Sequence, residues 1–392
     1  MKILIVSFTF PPNKDGVSEA AAAMALGFIG RGWKVEVLTE SINNGRDSDT
    51  WNGVAITEYR IIAGKAPEIA MSCGTTSYQD YLTRSNADVV VFQSHGLPLY
   101  RALPVLPRMR SIKILVSHGY APLVWVRFPK FPYGLGFWLR AVTKSFAMPF
   151  WLRCFDRSVY LSESADLRAF YDHLIAKLTG YQGRRVIPNG VDREERGMSP
   201  MEFRRRHGIE EGAFVFLCVA NYSHRKDQGY GARAFRKAAI PGSVLVFIGS
   251  EFNEESRRFQ KADALLMNDS TPGRIIWLEK QSRKETLDAL AGCDVFLLSA
   301  YHEAQPIAIL EAMREGKPWI ARDAGCIASM EGGRCVKSEA AMAAAMRQFN
   351  EDKTLRDRLA AEGAAAVATR YNRETYVKSY CDLVEELLPN AT

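Results

Sequence analysis

The sequence predicts an α/β protein built from two Rossmann-like, doubly wound domains facing a central cleft. Three observations predict it. The chain has 392 residues, more than one ordinary core organises and enough for two domains of roughly 150–200 residues each. Short apolar, β-branched runs alternate with helix-patterned stretches along most of its length, as in parallel sheets covered by helices. That alternation stops at the turn Pro188-Asn189-Gly190-Val191-Asp192 and then restarts, which marks a domain boundary.

Each element follows from local pattern. Lys2–Phe8 is a continuous apolar run, the mark of a central parallel strand. Only Lys2 precedes it and Pro-Pro ends it soon after, so it reads as a buried strand rather than a secretory signal. After the loop Thr9–Val17, Ser18 is expected to cap an alanine-rich helix over Glu19–Arg31, and Lys34–Thr39 completes a βαβ unit. Strands at Val89–Phe92 and Lys113–Val116 each run into a histidine-containing turn, Ser94-His95-Gly96 and Ser117-His118-Gly119. Arg157–Leu161 and Arg185–Ile187 read as two more strands.

Beyond the boundary, strands are expected at Phe214–Ala220, Val244–Ile248, Arg274–Leu278, Asp294–Leu298 and Pro318–Ala321. Helices fall near Gln228–Ala239, Ser282–Ala291, Pro306–Arg314 and Glu339–Phe349. The expected domains are therefore 1–189 and 190–371, with a final amphipathic helix over 372–392 that returns to the first.

Composition excludes several classes. A hydrophobic share of 47% with 24% charged residues is that of a folded globular chain, not a disordered or fibrous one. The seven cysteines form no CxxC pair and have no histidine at metal-ligand spacing, so neither a disulfide framework nor a zinc site is expected. Reduced thiols suit a cytoplasmic protein. No apolar run reaches the roughly 20 residues of a spanning helix. The net charge of +7 is concentrated: Val89 to Phe155 holds nine Lys and Arg residues and no Asp or Glu. The charge therefore describes a local basic surface.

The stretch Ser299-Ala300-Tyr301-His302-Glu303-Ala304-Gln305-Pro306-Ile307 leaves a strand and enters a helix. It therefore lies where open α/β sheets bind ligands. Backbone N–H groups of Ala304 and Gln305 are expected to face an anion such as a diphosphate at that helix start. A carboxylate beside an anion site has to face hydroxyls instead. Glu303 suits those of a sugar and Glu311, further along the helix, those of a ribose. By themselves two glutamates at this spacing fit a surface loop and a solvated helix face just as well.

With its neighbours the stretch becomes specific. Glu303 to Glu311 followed by Ala312-Met313, Gly316-Lys317-Pro318 and Arg322-Asp323-Ala324-Gly325 resembles the donor-site signature of the retaining glycosyltransferases of family four, which have the GT-B fold. The turn at 187–192 and the first strand, loop and helix are similar to that family too. The resemblance implies a nucleotide-sugar donor held by the second domain and an acceptor by the first. Glu303, with Ala304, Gln305, Pro306 and Ile307, would contact the donor, and Glu311 its ribose. Lys226 would neutralise the diphosphate, as transfer requires when the glycosidic bond breaks. His118 would be the active-site histidine, with His95 a weaker candidate. Gly16 would be the permissive backbone position near the first strand. Asn221 stands where the family often has arginine, so Arg225 or Arg233 is expected to supply the second phosphate cation. No metal or cofactor is implied, since protein cations take that part.

Between Trp125 and Arg157, basic residues such as Lys130, Arg140 and Lys144 alternate with aromatics, which suits an anionic membrane surface. A packed helix with a basic outer face fits equally. No nucleic-acid recognition module accompanies the charge. The expected function is transfer of a hexose-type sugar to a saccharide or lipid-linked acceptor, on or near the inner face of a membrane. The competing readings are a non-catalytic nucleotide-sugar-binding protein and a nucleotide-sugar epimerase.

Overall fold

A computed structural model describes all residues except 14, 43–47, 62–66, 72–73, 121–142, 144, 165–168, 266–271 and 389–392. The chain forms two compact units, Met1–Asn189 with Glu374–Thr392, and Gly190–Arg373.

The strands of the first unit are β1 (Lys2–Ser7), β2 (Lys34–Glu40), β3 (Thr50–Trp51), β4 (Val54–Arg60), β5 (Glu68–Met71), β6 (Gly74–Ser77), β7 (Val89–Gln93), β8 (Ile112–Ser117), β9 (Arg157–Tyr160) and β10 (Arg184–Val186). Its helices are α1 (Gly16–Gly30), α2 (Tyr78–Arg84), α3 (Leu97–Ala102), α4 (145–152) and α5 (Tyr171–Leu178). The sheet runs β10-β9-β8-β7-β1-β2-β4-β5-β6, with β3 beside β4. Pairing is parallel from β10 to β4 and antiparallel among β3, β4, β5 and β6.

Alternation along the central strands splits the unit into two cores. Ile3 and Ile5 of β1, Val89 and Val91 of β7, and Ile114 and Val116 of β8 face α1. Leu4, Val6, Val90, Phe92 and Leu115 face the opposite side, against Leu99, Met148, Trp151 and Phe155. Burial on both faces explains why these strands read as unbroken apolar runs.

The second unit carries α6 (Pro200–Arg206), β11 (Val215–Val219), α7 (Gln228–Ala238), β12 (Val244–Gly249), α8 (Glu254–Ala264), β13 (Arg274–Glu279), α9 (Arg283–Gly292), β14 (Val295–Leu298), α10 (Ile307–Arg314), β15 (Trp319–Arg322), β16 (Gly333–Val336), α11 (Glu339–Glu351) and α12 (Lys353–Thr369). Its sheet is wholly parallel, in the order β13-β12-β11-β14-β15-β16. The two passages of the chain between units lie side by side here: Val191 N–H donates to Tyr371 O, Arg373 N–H donates to Val191 O, and Arg373 Nη1 reaches Asp192 Oδ2 at 2.9 Å.

The last helix, α13 (Arg373–Leu387), packs on the first unit. Tyr376, Tyr380 and Val384 join the core beneath α1, the Tyr376 hydroxyl donates to Ala20 O at 3.1 Å, and Arg157 and Arg185 both hold Glu386.

The structure has more elements than expected, among them α2, α3, α5, α6, α8 and β16, and three further details differ. Asp15, not Ser18, caps α1: its Oδ1 accepts from Val17 N and Ser18 N at 2.9 and 3.0 Å, and helix begins at Gly16. Ser18 is instead buried in the first turn, donating to Asn13 O. The strands β3–β6 are additional: β4 pairs parallel with β2, and β3, β5 and β6 add antiparallel strands of only two to four residues, too short to show a period. The long helix α12 is also additional, its alanine-rich sequence spreading apolar residues around the axis instead of on one face.

Gly27 of α1 is where the returning helix comes closest, for a Cβ there would lie 2.3 Å from Val377 Cγ1. Gly27→Ala is therefore expected to cost about 1–3 kcal/mol by overpacking, outweighing the roughly 1 kcal/mol that alanine gains over glycine in a helix. Urea unfolding followed by a probe in the first unit checks the sign.

Candidate active site

In the second sheet the chain builds β11, β12 and β13 outward on one side, then returns to lay β14, β15 and β16 on the other. The order reverses between β11 and β14, and the crevice beyond their carboxyl ends is where open α/β sheets take ligands. Two loops leave the strands there. Tyr301 N–H donates to Arg225 O at 3.1 Å and the Ser299 hydroxyl donates to Lys226 O at 2.9 Å, so the loops are tied by one backbone and one side-chain bond. Lys226 Nζ then forms an ion pair with Glu303 Oε1. Both side chains are mostly covered, at 23% and 12% exposure. Each charge has the other as its compensation, as partly buried charges require.

A third loop closes on the pair. Gly325 has φ +58°, and a Cβ on it would lie 2.2 Å from Glu303 O, so only glycine lets this loop come so near. Cys326 N–H then donates to Ala304 O at 3.0 Å. This is how the Gly325-Cys326 segment meets the site.

Helix α10 begins one residue later than expected, with Pro306 as its N-cap and no side chain capping it. Ala304 and Gln305 therefore lie on the loop, and the amides that open the helix belong to Ile307 and Ala308. Their N–H groups and the helix dipole make this end suited to an anion. Glu311 lies further along α10. It is buried, at 7% exposure, and Arg283 Nη2 approaches its Oε1 to 2.5 Å. A solvated helix glutamate is thus ruled out. Arg283 also grips Glu195 through Nε at 2.9 Å, and two carboxylates hold its proton firmly against the opposing effect of burial.

The other candidates separate. Asn221 is exposed, and its carbonyl accepts from Gln228 Nε2 at 3.1 Å. Arg225 is exposed beside the pair. Arg233 is turned away to Glu339, at 2.8 Å from Nε. Arg322, which opens the signature segment 322–325, ends β15, reaches Asp227 Oδ2 at 3.1 Å and lies 4.4 Å over the Tyr230 ring, next in sequence to Lys226 through Asp227.

In the first unit the order reverses between β1 and β7. His118 follows β8 and its Nε2 lies 2.7 Å from Oε1 of Gln93, the last residue of β7. Burial draws the His118 pKa down to about 4, opposed by the Asp15 carboxylate and aided slightly by His95. His95 is different. Its side chain is 1% exposed and its Nε2 pairs with the wholly buried Asp172 at 2.7 Å, under Tyr120 and Trp151. That makes His95 a core group. Gly16 is the first residue of α1 and its φ is not in the left-handed region, so Asp15 rather than a permissive glycine shapes this loop.

Arg283 and Gln93 carried no signal in the sequence, and Arg322, though part of the signature, showed none of its partners there. Each acquires its place from an element distant along the chain.

Comparison with known proteins bears on the fold and on the second unit. At full-length coverage the structure resembles sucrose-phosphate synthase from Thermosynechococcus elongatus (TM-score 0.77, 15% identity, 98% of each chain). It likewise resembles Anabaena HepE in complex with UDP-glucose (TM-score 0.74, 15% identity, 99% of this chain and 100% of that one). The chain therefore has the GT-B fold. Residues 201–365 match the family glycosyl transferases group 1. In sequence it is 29% identical over 169 residues to UDP-Gal:alpha-D-GlcNAc-diphosphoundecaprenol alpha-1,3-galactosyltransferase of Escherichia coli, a stretch spanning 39% of either protein. It is also 29% identical over 115 residues to N,N'-diacetylbacillosaminyl-diphospho-undecaprenol alpha-1,3-N-acetylgalactosaminyltransferase of Campylobacter jejuni, covering 28% of this chain and 30% of that one.

His118 is expected to stay neutral well below pH 6. A histidine titration by NMR should place its midpoint near 4. The unfolded chain takes up this proton near pH 6.5 and the folded one refuses it until lower, so this residue subtracts stability as pH falls between the two values. A midpoint at the ordinary histidine value would overturn the assignment.

Proposed function

We propose that the protein is a retaining glycosyltransferase of the family-four type, metal-independent, moving a hexose-type sugar from a nucleoside-diphosphate sugar to a saccharide or lipid-linked acceptor in cell-surface polysaccharide or glycolipid synthesis. The observation that carries this is the Lys226–Glu303 pair at the β11/β14 crevice, beside the uncapped start of α10. The names of the Escherichia coli and Campylobacter jejuni relatives, both acting on undecaprenol-linked saccharides, support a lipid-linked acceptor.

On this reading the donor diphosphate takes over Lys226 and the amides of Ile307 and Ala308. Glu303, released from the lysine, accepts hydroxyl protons of the sugar. Glu311, oriented by Arg283, accepts those of the ribose. As the glycosidic bond breaks, negative charge builds on the departing phosphate oxygen, and fixed positive groups are most effective against charge that develops in the transition state. The acceptor hydroxyl attacks from the face the diphosphate leaves, and the departing oxygen takes its proton. The first unit presents the acceptor.

Nucleotide recognition is tested by thermal shift with UDP, GDP, ADP, dTDP and their sugar conjugates. A ligand at a hundred times its Kd adds about 2.7 kcal/mol, so a binding base stands out. Glu303→Ala and Lys226→Ala are each expected to lower kcat by roughly 100- to 1,000-fold, the scale of losing one transition-state contact, with an unchanged far-UV spectrum. Wild-type turnover in either variant would remove the assignment.

We propose as well that the basic, aromatic stretch meets an anionic membrane from the cytoplasmic side. Most of it, including Lys130, Arg140 and Lys144, lies outside the described residues. The described part is α4, which divides cleanly. Met148, Trp151 and Leu152 are core residues, as is Phe155 just beyond, so for them the packing alternative holds. Phe146 and Phe150, one turn apart, are 77% and 73% exposed, with Arg153 exposed beyond them. Two aromatics standing out of a stretch without acidic residues fit insertion among anionic headgroups. Replacing both with serine is expected to weaken binding to phosphatidylglycerol vesicles at least about tenfold, given about 1.5–3 kcal/mol per buried phenylalanine. Unchanged binding in a flotation assay would count against the surface.

A further inference from the structure

We infer that Gln93 is a positioning residue: it holds His118 as the Nε2–H tautomer and leaves the Nδ1 lone pair to accept a hydroxyl of the substrate. The hydroxyl-accepting part rests on the glycosyl-transfer reading above; the positioning part does not.

The argument begins with a thioether. Gln93 closes β7 and is 3% exposed, with its backbone fixed by pairing to Val116 of β8 and Ser7 of β1. Its Nε2 lies 3.3 Å from Sδ of Met24, a fully buried residue of α1. A thioether sulfur accepts hydrogen bonds and never donates. The amide NH₂ therefore faces the methionine and the carboxamide oxygen faces the other way. That oxygen lies 2.7 Å from His118 Nε2, and it too can only accept. His118 Nε2 must then carry the proton.

A neutral imidazole has one N–H, so Nδ1 is left as an acceptor. It makes no hydrogen bond among the described residues. The depressed pKa of His118 agrees with a ring that stays neutral. Of the charged or titratable groups near it, Asp15 has its Oδ1 committed to Val17 N, Ser18 N and Thr9 Oγ1, and His95 is committed to Asp172.

The chemical consequence is selective. An acceptor nitrogen welcomes an O–H and repels a phosphate oxygen. His118 thus binds and orients a hydroxyl-bearing group, and it does not protonate the departing diphosphate. Gln93 and Met24 confer this property from adjacent elements of one unit, without touching the substrate themselves.

The test uses the full-length protein labelled with ¹⁵N-histidine. His118 is assigned by the signal lost in His118→Gln, and its two ring nitrogens are read by long-range ¹H–¹⁵N correlation at pH 7. The expected wild-type pattern has Nε2 protonated and Nδ1 bare. Gln93→Leu removes the acceptor and should shift the ring to a mixture of tautomers. Gln93→Glu keeps an acceptor and should restore the Nε2–H form. Met24→Leu, a volume-conserving change that stays folded if Gln93→Leu does not, frees the amide to flip and should give a partial mixture. A protonated Nδ1 in the wild type, or an unchanged tautomer in both Gln93→Leu and Met24→Leu, would overturn the positioning role. With a donor and acceptor in hand, kcat/KM should fall at least about tenfold in Gln93→Leu and recover in Gln93→Glu. A wild type with the expected tautomer but no sugar transfer would remove the hydroxyl-accepting role while leaving the positioning role established.

Discussion

The chemistry of the second unit depends on β11 and β14 lying side by side. They are 76 residues apart from the end of one to the start of the other, and nothing local makes them neighbours. They meet because the intervening chain builds outward through β12 and β13 and the next strand must return to the open side of β11. At that reversal the loops after both strands leave the sheet together, and one brings a lysine while the other brings a glutamate. Had β14 been added beyond β13, Lys226 and Glu303 would end on separate loops with no common ligand.

Around that constraint the site is built from compensations. Three charges at the candidate site are partnered within the fold: Glu303 by Lys226, Glu311 by Arg283, Arg322 by Asp227. Leaving partly buried charges alone would cost several kcal/mol. A ligand that offers a diphosphate and several hydroxyls can replace these internal partners group for group. The uncapped opening of α10 is the exception, its amides having no side-chain acceptor, and it is the element whose N–H groups an anion would satisfy most directly.

The first unit uses the same topology differently. Its reversal lies between β1 and β7, and the residues delivered there are neutral: Gln93 and His118, with Asp15 bound to its own loop. One histidine, His118, is kept partly buried and neutral. The other, His95, is drawn into the core by Asp172 and covered by aromatics. Both follow a strand in a Ser-His-Gly turn, and the turn alone gives no means of telling them apart. What separates them is whether a carboxylate waits beneath, and Asp172 comes from a helix more than seventy residues on.

By itself the sequence determined the alternation of strands and helices, the turn at which one unit ends, and the signature from Glu303 to Gly325. These are written in short-range terms: strands buried on both faces read as apolar runs, turns as Pro, Asn and Gly, and a site loop as a strand end followed by a helix start. It could not supply the antiparallel strands β3, β5 and β6, too short to show a period, nor the true cap of α1, since Asp and Ser are both favoured at that position. Nor could it name Arg283 or Gln93, or the partners of Arg322. A guanidinium or an amide in a sequence is an ordinary polar residue until a distant element places a carboxylate, a ring or a sulfur against it. Tertiary structure decided those pairings because hydrogen bonds and ion pairs act over about 3 Å, and only the fold brings residues far apart in the chain to that distance.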